Sequence, residues 1–379
     1  MTVDSRLTRV RVHVRAAAID ALVVTHLPNI RYLTGFTGTA GAVVLLHERC
    51  ILAVDFRYLT AAQDLAAARP AGTIEVEPVP QGYDLTIVDV LRRESCKRVG
   101  VEAAWLSVSR FNAISTGLAG TAPTPLRADG PTPVLVPTER LVERARMIKD
   151  AAEVAAIREG GCRISAIARR LHEVVRPGRR EVDVAAELEA AMREAGFSRP
   201  AFETIVASGP NSALPHARPT DRRIAPGDST VLDFGGVYDG YCVDLTRTVQ
   251  LGRPSRELQR LYDAVAEAHQ AAVAAVRPGV RPSAIDGAAR GVLERAGLGE
   301  MFRHGTGHGL GLEIHEDPRI AREMPGLPDD PVEPGMVFTI EPGAYVPGTG
   351  GVRIEDDVLV TGSGCELLTD APRVMTIDL

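Results

Sequence analysis

Four acids and one histidine between residues 233 and 355 have the types and spacing for metal chemistry. Asp233 and Asp244 lie in VLDFGGVYDGYCVDLTRT, His308 sits between glycines in HGTGHGLGLEIHE, and Glu341 and Glu355 lie in FTIEPGAYVPGTGGVRIEDD. Four carboxylates and an imidazole make a hard, oxygen-rich donor set suited to two divalent metal ions. Such a pair of ions activates water. Val231 and Leu232 precede Asp233, and Val337, Phe338 and Ile340 precede Glu341. These runs read as buried, and burial of unpaired carboxylates is costly unless a metal takes them up. This tells against exposed hairpins carrying solvated acids.

The elements that must hold these groups are two hairpins. Asp239-Gly240 is a hairpin turn signal between the strand-like runs VLDF and YCVDLTRTV. With those two residues as the turn, Tyr238 opposes Tyr241 and Asp244 opposes Gly235. Asp233 then shares a face with Asp244 as a diagonal cross-strand neighbour, roughly 7–8 Å away at the backbone. Around Pro347-Gly348-Thr349-Gly350-Gly351 the second pair repeats the logic, and Arg353 shares the face of Glu355.

An ordered repeat accompanies the hairpins. VRPGRR at 175–180 matches VRPGVR at 276–281, and Ala195-Gly196 matches Ala296-Gly297, both at an offset of 101 residues. Pro226-Gly227 matches Pro334-Gly335 and Asp233 matches Glu341 at 108, while Asp244 matches Glu355 at 111. Each half reads helix, RPG turn, helix, AG cap and acid-bearing hairpin. Two such halves, about 150–250 and 251–379, can close one site between them as a pseudo-twofold.

Ahead of the repeat, strands and helices alternate. Residues 6–18 fit a helix with Leu7, Val10 and Val14 inward, followed by ALVVT, a turn at His26-Leu27-Pro28-Asn29, AVVLL, CILAVD, a helix at 57–69, TIEVEP as an edge strand, and RVGVE. This pattern implies a small α/β domain. The proline- and threonine-rich stretch 121–139 breaks all periodicity and marks the boundary between domains 1–133 and 134–379. Asp150-Ala151-Ala152-Glu153 is a capping box opening a helix that runs to about Val174.

At 379 residues, with 45% apolar and 24% charged residues, the composition is that of a two-domain globular chain. A net charge of −6 without a basic block argues against a nucleic-acid surface. The first residues lack the apolar core of a secretory signal, and no apolar run is long enough to span a membrane. Cys50, Cys96, Cys162, Cys242 and Cys365 are odd in number and widely spaced, which fits reduced cytosol better than a disulfide framework or a thiolate zinc site. Cys242 shares the face of Asp244 and reads as a small core residue rather than a ligand.

Of the other histidines, His216, His304 and His315 fall near the same region. Read one at a time they fit surface or structural roles better than catalytic ones; together they could bind substrate or stabilise negative charge on a tetrahedral intermediate.

SGPNSALPHARPTD, DFGGVYDGYCVDLTRT, HGTGHGLGLEIHE, FTIEPGAY and GGVRIEDD together resemble the pita-bread metallopeptidases, and within them the Xaa-Pro branch of prolidases and Xaa-Pro aminopeptidases. PNIRYLTGFTGTAGAVVLL and the following DFRY resemble that branch's N-terminal domain. The resemblance implies an α/β (α+β) architecture, a pita-bread catalytic domain with pseudo-twofold symmetry behind a smaller α/β domain of creatinase/prolidase type. It implies Asp233, Asp244, His308, Glu341 and Glu355 as the five ligands of two metal ions, manganese foremost, with cobalt or zinc as alternatives, and Asp244 and Glu355 as bridges. It further implies Glu341 as proton acceptor and donor, His216, His304 and His315 on the substrate side, and Arg353 beside the last ligand. The expected reaction is hydrolysis of Xaa-Pro bonds in short peptides by water activated between the ions. The expected assembly is a homodimer whose N-terminal domain helps close the partner's site, in the cytoplasm, with no nucleic-acid or membrane partner. Two other readings compete. One is a pita-bread enzyme acting on a non-peptide metabolite, as a creatinase-like hydrolase or a metal-dependent lyase. The other is a binding protein on the same scaffold, and the intact ligand set weighs against that.

Overall fold

A computed structural model of the chain describes residues 3–120, 132–373 and 376–378. It divides into two compact units, Met1–Arg146 and Met147–Leu379. In the first, strands β1 (Ala21–Val24), β2 (Ala42–Leu46), β3 (Cys50–Val54), β4 (Glu75–Pro78), β5 (Arg98–Glu102) and β6 (Val134–Thr138) form one sheet in the order β4-β3-β2-β1-β5-β6. Helices α1 (Val3–Ala16), α2 (Leu27–Thr34), α3 (Leu59–Ala67), α4 (Tyr83–Arg93), α5 (Val108–Leu118) and α6 (Leu141–Met147) alternate with its strands or flank them. On α1, Leu7, Val10 and Val14 are buried, as their helical spacing expects.

Two expectations change here. His26-Leu27-Pro28-Asn29 is the start of α2 rather than a turn: Pro28 stands in the first helical turn, where its missing N–H costs nothing, and Gly35 ends the helix at φ 77°. The first unit also runs past residue 133. Val134–Thr138 pairs in parallel with Arg98–Glu102, so its backbone groups are satisfied by this sheet. Residues 121–131 of the proline-rich stretch lie outside the described residues.

The second unit opens with the capping box at Asp150, whose carboxylate accepts the Ala152 and Glu153 N–H groups. That helix, α7 (Ala151–Ala168), stops short of Val174, and a separate turn of helix, α8 (Leu171–Val174), follows. Then come α9 (Glu181–Glu194), β7 (Arg199–Pro200), β8 (Ile205–Ser208) and the long hairpin β9 (Ser229–Tyr238) and β10 (Tyr241–Leu251). The second half holds α10 (Arg256–Ala275), α11 (Pro282–Arg295), β11 (Gly307–Gly309), β12 (Glu316–Ile320), β13 (Val337–Ile340), β14 (Gly343–Val346), β15 (Gly350–Arg353), β16 (Asp356–Val360), β17 (Cys365–Leu367) and β18 (Thr376–Ile377). One sheet runs β18-β10-β9-β7, with β8 also on β9; another runs β12-β11-β13-β16-β17.

The two halves repeat at the level of single hydrogen bonds. Gly178 sits at φ 83° and donates its N–H to Ile224 O at 2.8 Å; Gly279 sits at φ 85° and donates to Val332 O at 2.9 Å. Only glycine takes that backbone conformation without strain, which is why RPG recurs. Behind the second half, a core of Leu261, Val265, Ala268, Ile285, Ala289, Phe338, Ile340, Ile354 and Val358 joins α10 and α11 to the sheet. Among the described residues no helix is long and apolar enough to cross a membrane. All five cysteines are free, and Cys242 is buried.

Candidate functional site

The Asp239-Gly240 turn forms as expected, with Tyr238 opposite Tyr241 and Asp244 opposite Gly235. Both turn residues have positive φ, 46° and 80°, the backbone a two-residue hairpin needs. Asp233 lies on β9 and Asp244 on β10, both buried. Val346 pairs with Gly350, so residues 347–349 make the second turn. The ladder there breaks between Ile340↔Asp356 and Gly343↔Arg353, and Glu341 and Glu355 stand in the break. Pro342 has no N–H to give the ladder. The Glu341 N–H instead goes to Thr306 O at 2.7 Å, and the Glu355 N–H to Thr246 O on β10 at 3.1 Å. The second bond ties one hairpin to the other.

His308 reaches the acids because its glycines leave room. A Cβ on Gly307 would come 1.8 Å from Thr339 O, and one on Gly309 2.2 Å from Asp317 O. The His308 Nδ1 lies 3.1 Å from Gly309 O, which leaves Nε2 facing Asp244 Oδ2 at 3.9 Å and Glu341 Oε1 at 3.7 Å. Ligand atoms of Asp244, His308 and Glu355 all lie within 4.8 Å of one another.

These groups fit divalent metal. Asp233 Oδ1, Asp244 Oδ1 and Glu355 Oε1 are buried with no hydrogen-bond partner. Native interiors rarely leave such acceptors orphaned, and an uncompensated buried carboxylate costs several kcal/mol by order of magnitude. Burial first, then mutual repulsion, pushes the Asp244 and Glu355 carboxyls well above the ordinary range, and burial pushes Glu341 up as well. Burial and the neighbouring His315 lower His308 to about 4, which keeps its imidazole neutral and able to ligate. A bound cation reverses the penalty on the acids.

The remaining expected residues line the same cavity, of about 460 Å³: His216, His304, His315 and Arg353. The His304 Nε2 lies 3.2 Å from the Tyr345 hydroxyl and its Nδ1 2.8 Å from Gly305 O. The His315 ring packs edge-on against His308, 4.4 Å between centroids. His216 is exposed on the loop after Leu214 and Pro215. Arg353 is committed on every side: to Asp233 Oδ2 through Nη2, to the Tyr345 hydroxyl at 2.6 Å and Pro215 O at 3.2 Å through Nη1, and to Thr246 Oγ1 through Nε at 3.3 Å. Cys242 is not among the converging groups.

Two site residues escaped the sequence reading, though the hairpin registers could have found them. Thr246 directly opposes Asp233, and its hydroxyl donates to Glu355 Oε2 at 2.5 Å. Tyr345 opposes Gly351, two residues from Arg353 and hence on its face. A third support comes from α11. Asp286 and Arg290 form a buried bidentate pair; Arg290 also donates to Phe302 O and His304 O, and Asp286 accepts from the Thr306 N–H and hydroxyl. Thr306 in turn receives the Glu341 N–H, so one ion pair fixes the backbone under His304 and Glu341.

Known proteins resemble this chain along its whole length. Residues 155–362 match the model of metallopeptidase family M24, and residues 6–148 match the creatinase/prolidase N-terminal domain. The chain is 36% identical to an uncharacterized peptidase, YqhT, of Bacillus subtilis (strain 168), over 95% of this chain and 96% of that one. It is 33% identical to an Xaa-Pro dipeptidase of Pyrococcus horikoshii over 94% of each. The solved structure of an Xaa-Pro dipeptidase from Bacillus anthracis superposes with a TM-score of 0.91 at 35% identity, covering all of both chains. With its acids, histidine and repeat in this arrangement, the chain belongs to metallopeptidase family M24, a pita-bread domain behind a creatinase/prolidase N-terminal domain.

Proposed function

We infer that this chain is a metal-dependent hydrolase of Xaa-Pro bonds in short peptides. The observation that carries the reading is the convergence of three orphaned carboxylate oxygens and the neutral His308 on one cavity whose other walls include three further histidines and apolar side chains. Relatives bearing the name Xaa-Pro dipeptidase support the proline preference. The non-peptide reading has no observation in its favour.

Asp233, Asp244, His308, Glu341 and Glu355 would hold two divalent ions, manganese by preference. Bound there, the ions supply Lewis acidity and lower the pKa of water. Glu341 takes a proton from the attacking water at its carboxylate and returns it to the departing proline nitrogen. Arg353, held by four partners, keeps Asp233 aimed. His216, His304 and His315 face the substrate; a neutral imidazole N–H donates to the oxygen that gains charge on attack. Phe202, Ile205 and Ile314 give the proline ring apolar contact. The tertiary amide of an X-Pro bond has no N–H, so no acceptor in the cavity needs to be reserved for one. The reading includes a cytosolic homodimer.

The test is cleavage of Ala-Pro, Ala-Pro-Ala and Ala-Ala by metal-loaded protein, with metal content measured on the same sample. Ala-Pro should be cut well and Ala-Ala poorly. Equal rates on the two would remove proline from the reading and leave a general metallopeptidase.

A further inference from the structure

We propose that Lys149 and Glu316, a buried ion pair outside the catalytic cavity, are positioning residues for hydrolysis: they fix the slipped register of β11–β12 and so hold His315 against His308. This rests on the Xaa-Pro reading above, which puts His315 on the substrate side. Neither Lys149 nor Glu316 lines the cavity.

The pair is dry. Lys149 Nζ lies 3.3 Å from Glu316 Oε2, with side chains only 1% and 7% exposed. Desolvation cancels much of the attraction in such a pair, so it is a weak source of stability. Its best-attested use is to select one register among several. A register that needs selecting lies next to it. In β11–β12, His308 pairs with Arg319, but Gly309 pairs with Glu316, where an even ladder would give Pro318. Pro318 has no N–H to lend a ladder. The slip draws His315 closer to His308 along the strand, and the two rings meet edge-on at 4.4 Å. Bulges beside active sites commonly re-aim a side chain in this way.

Both ends of the pair are anchored. The Lys149 N–H donates to Gly335 O at 2.8 Å, beside the Ile148–Met336 bridge, and Asp150 then caps α7. Glu316 Oε1 accepts the Glu313 N–H at 3.0 Å. Gly311 makes room for that carboxylate, since a Cβ there would stand 2.8 Å from Glu316 Oε1. Gly311 also accepts the Cys242 N–H at 2.7 Å, which ties the loop to β10 two residues from Asp244. A charge at Glu316 therefore holds the turn between His308 and His315, and Lys149 holds the charge.

The test separates positioning from stability. Lys149→Met and Glu316→Gln each strand one buried charge and should lower the urea midpoint. The double variant strands none and should return the midpoint to the wild-type value or above it. Its kcat on Ala-Pro, measured on the metal-loaded full chain, should nevertheless stay about 10–100-fold low, with KM and metal content little changed. Amide exchange over residues 310–316, followed by mass spectrometry, should be about tenfold faster in the double variant and unchanged elsewhere. A double variant whose kcat returns with its midpoint overturns the proposal, as does exchange at the wild-type rate. Loss of metal from the double variant overturns it too, because the pair would then serve His308 rather than His315. Wild type that cuts no Xaa-Pro bond overturns the Xaa-Pro reading instead, and the exchange comparison still decides the register.

Discussion

In β9–β10 the ladder runs unbroken from Ser229↔Gln250 to the turn, and its two acids stand diagonally on one face of it. In the second hairpin the ladder stops at Ile340↔Asp356 and resumes at Gly343↔Arg353, and its two acids face each other across the gap. The first arrangement is local: a tight turn and side-chain alternation suffice. The second leaves backbone donors at Glu341 and Glu355 that only other segments can satisfy, Thr306 for one and Thr246 for the other. The repeat therefore preserves the chemical type of its acids while building their backbones differently. The broken hairpin is the one that binds the halves together.

The strongest challenge to this comparison removes one acid from each hairpin. Asp244→Ala and Glu355→Ala should each abolish hydrolysis and release divalent metal, read by metal analysis after dialysis. Full metal and full rate in either variant would mean that one hairpin suffices alone. Next in size is the support that only the second hairpin draws from α11. Asp286→Ala leaves Arg290 buried without its carboxylate and should cost about 3–5 kcal/mol of unfolding free energy in urea titration. A loss of less than about 1 kcal/mol, within the range of an ordinary point mutation, would show that the 302–306 backbone needs no clamp.

A finer probe is Thr246→Val, which removes the hydroxyl that the first hairpin lends to Glu355. Metal affinity should drop about 10–100-fold, measured by chelator competition, with the fold retained. Unchanged affinity would make the link between the hairpins a backbone matter alone. The smallest effect concerns His304, which burial lowers to about 4. In the unfolded chain the imidazole takes a proton near its ordinary value of about 6.5, so below that pH the unfolded state binds more protons than the native state. The stability tied to neutral His304 is thus intact above about 6.5 and is lost as pH falls toward about 4. The melting-temperature gap between wild type and His304→Gln should shift against the wild type as pH drops from about 7 to about 5. A gap that stays constant would mean that His304 carries no such linkage.

The first hairpin was legible down to its pairs. Asp239-Gly240 fixes the turn, the turn fixes the register, and the register fixes which side chains share a face. The same reasoning reached Glu341, Glu355 and Arg353 through composition and the order of the repeat. It did not reach the break at Pro342, because alternation describes a ladder and says nothing about where unpaired donors go. Thr246 and Tyr345 were within reach of the registers but drew no notice, since a threonine or tyrosine in a strand has ordinary packing uses. In the first unit, the edge strand Glu75–Pro78 was readable from its turn-bounded run, while α2 was not, because Leu-Pro-Asn serves a turn and a helix start equally well.

By itself the sequence determined the donor set, the two turns and the twofold order of the catalytic half, since each depends on residue type and short spacing. Only the tertiary structure decided that the Glu355 N–H reaches across to Thr246, that Arg290 of α11 holds the segment under His304, and that Arg353 is spent on four partners. These are contacts between residues far apart in the chain. Their partners are chosen by the packing of whole elements around buried polar groups that must be satisfied, and no local pattern encodes that choice.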